Sequence, residues 1–388
     1  MNSKSGLLWQ EALSMIKFAE FLRKPIAGSL FAIIASFAVG AVILSIAGHN
    51  PIDAYVGLIY GAFGTPRFIV NTVIASTTLI LTGLSVTFAY KTGLFNIGVE
   101  GQFIIGTIAA VFLGYFVSLP PVIHPIFVMF GAMVAAGSFG TIVGFLKAKY
   151  NIHEVLSSIM LNWVALNLLN LYIGIEMFRR PHSNSAHTIH DSASIIFMHS
   201  YKRTPEGMER LRESEFLTEV ILRTDLNFGI FVAIFAVIVV WYVLGKTSFG
   251  YTLKAVGTNK DAAEASGINT KRYIAGSMFI AGSIAGLAGA VHILGVSPNT
   301  INILGGFQNF GFNGIPVALL ANASVIPNIF SAFLFGSMNY GSGFIQGRYG
   351  IATEIIDIMI GLIVFFAALR VLCIYLAQRL EKRMKDVN

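Results

Sequence analysis

The chain has 388 residues, of which 55% are hydrophobic and only 12% charged. A soluble chain of this length divides into domains with polar exteriors, whereas apolar runs recur here from end to end, so the bilayer is the solvent and a soluble fold is excluded. The formal charge of +7 marks membrane topology and not a nucleic-acid surface, because the basic residues gather at the ends of the apolar runs.

About ten runs approach the ~20 residues that a bilayer-crossing helix requires: 26–48, 68–90, 98–118, 122–146, 155–175, 227–245, 273–296, 313–326, 327–345 and 354–377. The expected class is therefore an all-α polytopic membrane protein. It has an N-terminal segment 1–25, a membrane domain 26–377 and a tail 378–388. The first run is too long for a signal-peptide core and many more follow, which predicts a retained span. With ten spans, Lys4, Lys17, Arg23 and Lys24, then Lys91, Lys147 and Lys149, then Lys246, Lys254, Lys260, Lys271 and Arg272, and finally Arg379, Lys382, Arg383 and Lys385 all fall on one face. The positive-inside rule makes that face, and both termini, cytoplasmic. The long loop at about 176–226 then lies outside. Its residues Glu206 to Glu219 mix Arg and Glu with Met208, Leu211, Phe216 and Leu217, which predicts a short amphipathic surface helix, either a packed lid or a platform for an outside partner. His182, His187, His190 and His199 in this loop read as solvated residues and not as a metal site. Cys373 is the single cysteine, so no internal disulfide and no cysteine-based metal cluster can form.

Three polar constellations stand inside the apolar pattern. Thr92-Gly-Leu-Phe-Asn-Ile-Gly-Val-Glu-Gly-Gln102 places Asn96, Glu100 and Gln102 among glycines. Irregular backbone at membrane depth is tolerated only when buried in protein or lining water. A carboxylate there costs about 2.5–3.5 kcal/mol or more. Glu100 therefore marks a transport path or holds its shape, with a paired structural knot, or a carboxylate reaching the nearby cytoplasmic interface, as the alternatives. Glu154, Ser158 and Asn162 recur at i, i+4 and i+8, a single stripe on one helix. That stripe makes either interhelical hydrogen bonds or a polar wall. Gly305-Gly-Phe-Gln-Asn-Phe-Gly-Phe-Asn-Gly314 interleaves Phe307, Phe310 and Phe312 with Gln308, Asn309 and Asn313, a composition suited to a flat solute with hydrogen-bonding edges. Gly140/Gly144 and Gly282/Gly286 have the spacing that lets helix backbones approach closely.

Between the spans at 227–245 and 273–296 lies a polar stretch, 258–273, which must reside in water. Thr258 and Asp261 suggest a capping box and Gly267 a C-terminal stop about two turns later. The segment offers a handle that a soluble partner can grip. No G-x-x-x-x-G-K-[ST] loop is present, so ATP is not hydrolysed by that route, and no H-E-x-x-H pattern occurs.

Lys91 to Gln102, Glu154 to Asn162, Ala255 to Asn269 and Phe310 to Leu320, in this order, resemble the membrane permease subunits of ABC importers of the nucleoside and simple-sugar class, within the superfamily of branched-chain amino acid and ribose permeases. The form Phe-Asn-Ile-Gly-Val-Glu-Gly at 95–101 is most similar to the nucleoside type. The chain departs from the family pattern at Asn313, where Asp is usual, and after Leu320, where a glycine and a basic residue are missing. The resemblance implies a non-enzymatic permease in a bacterial inner membrane, in contact with lipid and paired with a second permease chain, identical or homologous. A cytoplasmic ABC ATPase using ATP-Mg and an extracytoplasmic substrate-binding protein complete the expected assembly, with no cofactor or metal on this chain and no nucleic acid. It implies that Gly257, Thr258, Asn259, Asp261, Ala262, Ala263, Glu264 and Gly267 belong to the ATPase-coupling segment. The expected solute path includes Asn96, Glu100, Gln102, Ser158, Asn162, Phe307, Phe310 and Asn313. A nucleoside is the expected solute, with ribose or galactose as the alternative. A secondary transporter built on broken helices is a weaker rival, because no paired intramembrane carboxylates and no clear inverted repeat are present. A membrane-embedded enzyme lacks a nucleophile–base pair or ligand set.

Overall fold

The computed structural model describes residues 25–369, with residues 375 and 378. The basic residues of segment 1–24, Cys373, the end of the last expected span and most of the tail lie outside the described residues. In chain order the helices are α1 (Pro25–Ile46), α2 (Pro51–Phe63), α3 (Pro66–Tyr90), α4 (Val99–Phe116), α5 (Ile123–Tyr150), α6 (Glu154–Gly174), α7 (Pro205–Arg212), α8 (Gly229–Lys246), α9 (Ser248–Thr258), α10 (Lys260–Ala265), α11 (Thr270–Gly295), α12 (Gly314–Leu320), α13 (Val325–Tyr349) and α14 (Glu354–Ala368). Among the described residues no β-strand forms. Three isolated bridges occur, all involving the long loop between α6 and α8.

Among the described residues seven helices, α1, α3, α4, α5, α6, α8 and α11, are long and apolar enough to cross a membrane, which makes this a multi-pass membrane protein. Two local features differ from the reading of the apolar runs. The run expected as a span at 313–326 contains only the seven residues of α12, about 10 Å of helix against a hydrocarbon core of about 30 Å. Its end is set by Asn322 and Ala323, both left-handed at φ 51° and 48°, which turn the chain back into α13. The 25-residue α13 is long enough to cross but polar along its second half, from Ser337 to Tyr349. The short α2 was not expected. Pro51 opens it, and the Asn50 side chain accepts from the Ile52 amide at 3.0 Å, a combination of cap and N1 proline that favours a helix start.

Burial sorts the bundle. The apolar window of α11 is 78% buried and that of α1 only 22%, so α11 is the centre and α1 faces outward. The two glycine pairs meet in one interface. A Cβ on Gly282 would stand 2.6 Å from the Ala136 carbonyl, and one on Gly286 would stand 2.5 Å from that of Ala132. From the other side, Gly140 approaches the Met278 carbonyl and Gly144 the Ala275 backbone. The backbones of α5 and α11 therefore touch, running antiparallel, and any side chain at these glycines would separate them. α13 runs antiparallel to α3 and begins level with its middle. Asn328 donates to the Ile80 carbonyl at 2.9 Å, Gly336 packs on Ser76, and Asn71 donates to the Tyr340 hydroxyl at 2.9 Å. The remaining depth of α3 is matched by α12, where Gly314 lies against Thr82. Segment 296–313 and α12 thus return the chain through the bundle that α11 traverses.

Candidate functional site

The polar handle is made by α9, which buries Gly250, Leu253 and Val256, and by the exposed α10, whose one buried residue is Ala263. α9 runs to Thr258, whose hydroxyl donates to the Lys254 carbonyl at 2.9 Å. The chain breaks at Asn259 (φ −154°, ψ 105°), whose side chain accepts from the Ala262 amide at 3.0 Å and caps α10. The expected Thr258/Asp261 capping box is therefore corrected to an Asn259 cap. The hydroxyl of Thr258 is committed to its own helix and is unavailable one residue before the break. Gly267 stops the helix as expected, with φ +84° and a 2.9 Å bond from its amide to the Glu264 carbonyl. Asp261, Ala262, Glu264 and Gly267 are exposed, while Ala263 is buried in a cluster with Leu94, Val256, Ile274 and Met278. At the root, a Cβ on Gly257 would stand 2.4 Å from the Lys91 carbonyl, so the handle rests directly on the 91–93 backbone.

That backbone leads into a closed polar knot. Asn96 and Gln102 exchange amide hydrogen bonds at 2.8 and 3.1 Å, and Asn96 also donates to Ser85 at 3.1 Å. The Ser85 hydroxyl donates to the Ala281 carbonyl of α11 at 2.6 Å. Asn162, from α6, accepts from the Gly101 amide at 2.8 Å and donates to the Ile97 carbonyl at 3.0 Å. Its amide thus satisfies two backbone groups where the irregular stretch enters α4, as backbone inside a membrane requires. Glu100 accepts from the amides of Asn309, Gly311 and Phe312 at 3.0, 2.6 and 3.1 Å. Each oxygen faces a donor, an arrangement that fits an ionised carboxylate. Gly311 packs so closely on the first turn of α4 that a Cβ would stand 2.4 Å from the Glu100 Cα. Asn96, Glu100, Gln102, Ser158 and Asn162 are all fully or almost fully buried. Of these, the Ser158 hydroxyl has no hydrogen-bond partner. Glu154, at the start of the same stripe, pairs with Lys147 at 3.0 Å.

The structure thus joins two of the sequence constellations, 92–102 and 154–162, to the third, 305–314. Glu100 shapes the third through its backbone. The loop's outer side carries exposed Gln308 and Asn309, with Phe307, Phe312 and Asn313 half-buried. Phe307 meets exposed Trp163 edge-to-face at 4.7 Å and Phe312 at 5.4 Å. Phe310, also half-buried, packs at a tilt against Phe103 and His292. Trp163 and His292 were not singled out from the sequence, whereas Asn167 and Asn170 continue the polarity of α6 on other faces than the stripe. Trp163 and Asn167 occupy an exposed face of α6 that the stripe at 154, 158 and 162 does not include. Asn170 holds the loop's entry, exchanging two 2.9 Å bonds with the Leu304 backbone.

The long loop forms an ordered cap over one end of the bundle. Backbone bonds tie Ala186 to Ile301, Ile189 to Asn299, Ile195 to Leu294 and Ile303 to Asn184. Asp225 accepts from Lys202 at 3.2 Å and from the Ser297 amide at 2.9 Å. The expected surface helix is α7, with Leu211 buried and Phe216 beyond it exposed. His199 differs from the solvated reading. It is buried beside Asp191 at 3.5 Å. Burial first, then the charge of Arg203, outweighs Asp191 and depresses its pKa. Among the described residues no group of three or more His, Cys, Asp or Glu could hold a metal.

Residues 68–368 match the family described as branched-chain amino acid transport system / permease component. The chain is 35% identical over 354 residues to the guanosine ABC transporter permease protein NupP of Bacillus subtilis, covering 91% of this chain and 96% of that one. It is 34% identical over 343 residues to the nucleoside ABC transporter permease protein NupB of Lactococcus lactis, covering 88% and 90%. A glucose ABC transporter permease protein of Haloferax volcanii, TsgB13, is 28% identical over 341 residues, covering 86% and 84%. No solved structure matches. With a family match across most of the chain and full-length relatives above 30% identity, this protein belongs to the branched-chain amino acid transport system permease family.

Proposed function

We propose that this chain is the membrane permease subunit of an ATP-driven nucleoside importer. The observation that carries the reading is near-full-length similarity to permeases named for guanosine and nucleosides at 35% and 34% identity. The assembly holds a second permease chain, a cytoplasmic ABC ATPase that binds ATP-Mg and an extracytoplasmic binding protein, in a bacterial inner membrane. This chain performs no hydrolysis. It crosses ten times, with 296–313 and α12 together making the eighth crossing and both termini inside.

The mechanism follows from the contacts. The ATPase grips the exposed face of α10, and Ala263 and Gly257 anchor that helix to the bundle. Movement of α9 and α10 presses on the 91–93 backbone, which continues into the Asn96–Gln102 knot and Glu100. Glu100 holds 309–312, so displacement of the handle reaches the loop whose outer side bears Phe307, Gln308, Asn309, Phe312 and Asn313. In this arrangement Asn96, Glu100, Gln102, Ser158 and Asn162 keep the path in shape, and the exposed aromatic and amide groups meet the solute. A nucleobase presents a flat apolar face and edge donors and acceptors, which rings and amides satisfy together. Alternating access is the switching of this bundle between two packed states.

The test is uptake of labelled guanosine by vesicles reconstituted with all subunits. Vanadate should abolish uptake and a protonophore should not. Excess unlabelled purine nucleoside should block it and ribose should not. Full competition by ribose or galactose without competition by nucleosides replaces the nucleoside reading with the simple-sugar one.

A further inference from the structure

A small cleft lies between the C-terminal end of α11, α4, α6 and the 300–308 segment. It has a volume of about 60 Å³, and its lining includes Phe103, Leu169, His292, Asn302, Leu304 and Gln308. Asn302 and Gln308 are exposed, so the cleft opens on the face where Asn309 is also exposed. His292 is half-buried in its wall and packed by rings, with the Phe310 centroid 4.5 Å away and that of Phe103 5.8 Å away. Among the described residues nothing hydrogen-bonds to its imidazole nitrogens, and the exposed side-chain amides of Asn302 and Gln308 make no bond to other protein groups. A neutral imidazole presents one donor and one acceptor. Neither nitrogen is sealed from solvent, so both can bond to water in the cleft or to a ligand that replaces water.

We infer that this cleft is a solute subsite for a vicinal pair of hydroxyl groups, with His292 as the recognising residue and the amides of Gln308 and Asn302 beside it. The inference rests on the nucleoside reading above. A volume of about 60 Å³ has room for a few water molecules. It is too small for a base or a whole sugar, and it matches the two hydroxyls on the edge of a ribose. Each hydroxyl donates once and accepts twice, so the imidazole's acceptor and donor and the amides can be matched without leaving a buried group unpaired. The ring contacts fix the imidazole plane, which lowers the cost of ordering it around a passing solute. The base remains on the open side, toward Phe307 and Trp163.

The experiment uses the reconstituted complex with its binding protein, and compares guanosine with 2′,3′-dideoxyguanosine, which lacks both hydroxyls. His292→Phe keeps an aromatic ring against Phe103 and Phe310 and removes the hydrogen bonds; His292→Gln keeps hydrogen-bonding capacity and removes the ring. Because the same binding protein feeds every variant, a change in the ratio of the two maximal uptake rates belongs to this chain. Wild type should favour guanosine by about tenfold, the worth of one or two hydrogen bonds. His292→Phe should slow guanosine by about tenfold, leave the dideoxy compound unchanged and bring the ratio to near one, while His292→Gln retains part of the preference. ATPase association and thermal stability of His292→Phe should equal those of wild type. An unchanged ratio in His292→Phe, or an equal loss for both solutes, overturns the subsite. Wild-type vesicles that carry no guanosine at all refute the nucleoside reading itself, and the subsite falls with it.

Discussion

Replacing Glu100 by Gln tests whether the carboxylate holds the 309–312 turn. The native group accepts one amide on Oε1 and two on Oε2. A glutamine can place its carbonyl oxygen at only one of these positions. With that oxygen facing Gly311 and Phe312, its NH2 group faces the Asn309 amide, donor against donor. Two charge-assisted bonds become neutral ones, a loss of about 1 kcal/mol each, and one amide loses its partner at about 1–3 kcal/mol. The turn therefore weakens by about 3–5 kcal/mol. The chain as a whole is relieved of a buried charge that costs about 2.5–3.5 kcal/mol to insert, so folding is nearly unaffected and the damage is local. The expected outcome is normal expression, insertion and ATPase association with guanosine uptake reduced at least tenfold. Glu100→Asp, whose carboxylate falls one methylene short of all three amides, should behave similarly. Wild-type uptake in both variants would refute the role of the carboxylate. Loss of the assembled complex would show that Glu100 acts in folding and not in the shape of the path.

At the handle, Ala263→Pro removes the 3.1 Å bond from the Ala263 amide to the Asn259 carbonyl, at about 3 kcal/mol for a proline in a helix. It should lower ATPase association and uptake together while the chain still inserts, as should Glu264→Arg, which reverses a charge on the exposed face; normal ATP-driven uptake in both would end the coupling assignment. Gly286→Val places a branched side chain where even a Cβ would stand 2.5 Å from the Ala132 carbonyl, so the detergent-solubilised protein should lose about 1–3 kcal/mol, read as a lower thermal midpoint. In the cap, His199 has a depressed pKa because of burial and the Arg203 charge, opposed by Asp191 and Asp225, with Lys202 also nearby. The folded loop disfavours the imidazolium, so it should lose stability as pH falls below about 6.5, the free-imidazole value, and show no such loss on the alkaline side. Hydrogen exchange of residues 195–204 at pH 7.5 and pH 5 measures this, and His199→Phe should flatten the difference.

Much of the fold is legible in the residues because bilayer physics leaves few options. Apolar run length marks the seven membrane-length helices, and the small-residue spacing at Gly140, Gly144, Gly282 and Gly286 marks helices that touch. It does not say which pairs with which, since that depends on the tertiary arrangement. α12 was hidden because apolar residues continue through the break, and the signal lay in the polar turn around Asn322 and Ser324. The Asn50-Pro51 pair announced α2 by a cap and not by hydropathy. At the handle both Thr258 and Asn259 can cap a helix, and what decides is the Thr258 hydroxyl turning back to Lys254. Glu100 was visible as an anomaly, but its partners lie about 210 residues away along the chain, beyond any periodicity. His292 gave no warning, because a single histidine in a glycine- and alanine-rich helix has no pattern until the fold brings Phe103 and Phe310 to its ring.

Segment 294–312 is held at both ends by different parts of the protein. Its first part, 294–303, is bonded to the cap, and its last part, 309–312, to Glu100. Asn170 fixes Leu304 between them. Glu100 also reaches the Gln308 backbone, which leaves 305–307 as the stretch without such an anchor, and a Cβ on Gly305 or Gly306 would meet nothing within 4 Å. Backbone with no neighbours and no β-carbon is the least costly place for a chain to change its dihedrals. In the proposed importer, a partner docking on the cap would act on the first anchor, and a motor acting through Gly257 and the 91–93 backbone would act on the second. Any mismatch between the two would be absorbed at 305–307, next to the exposed Gln308 and Asn309. In the proposed importer, signals from opposite sides of the membrane thus converge on the few residues that the solute would touch.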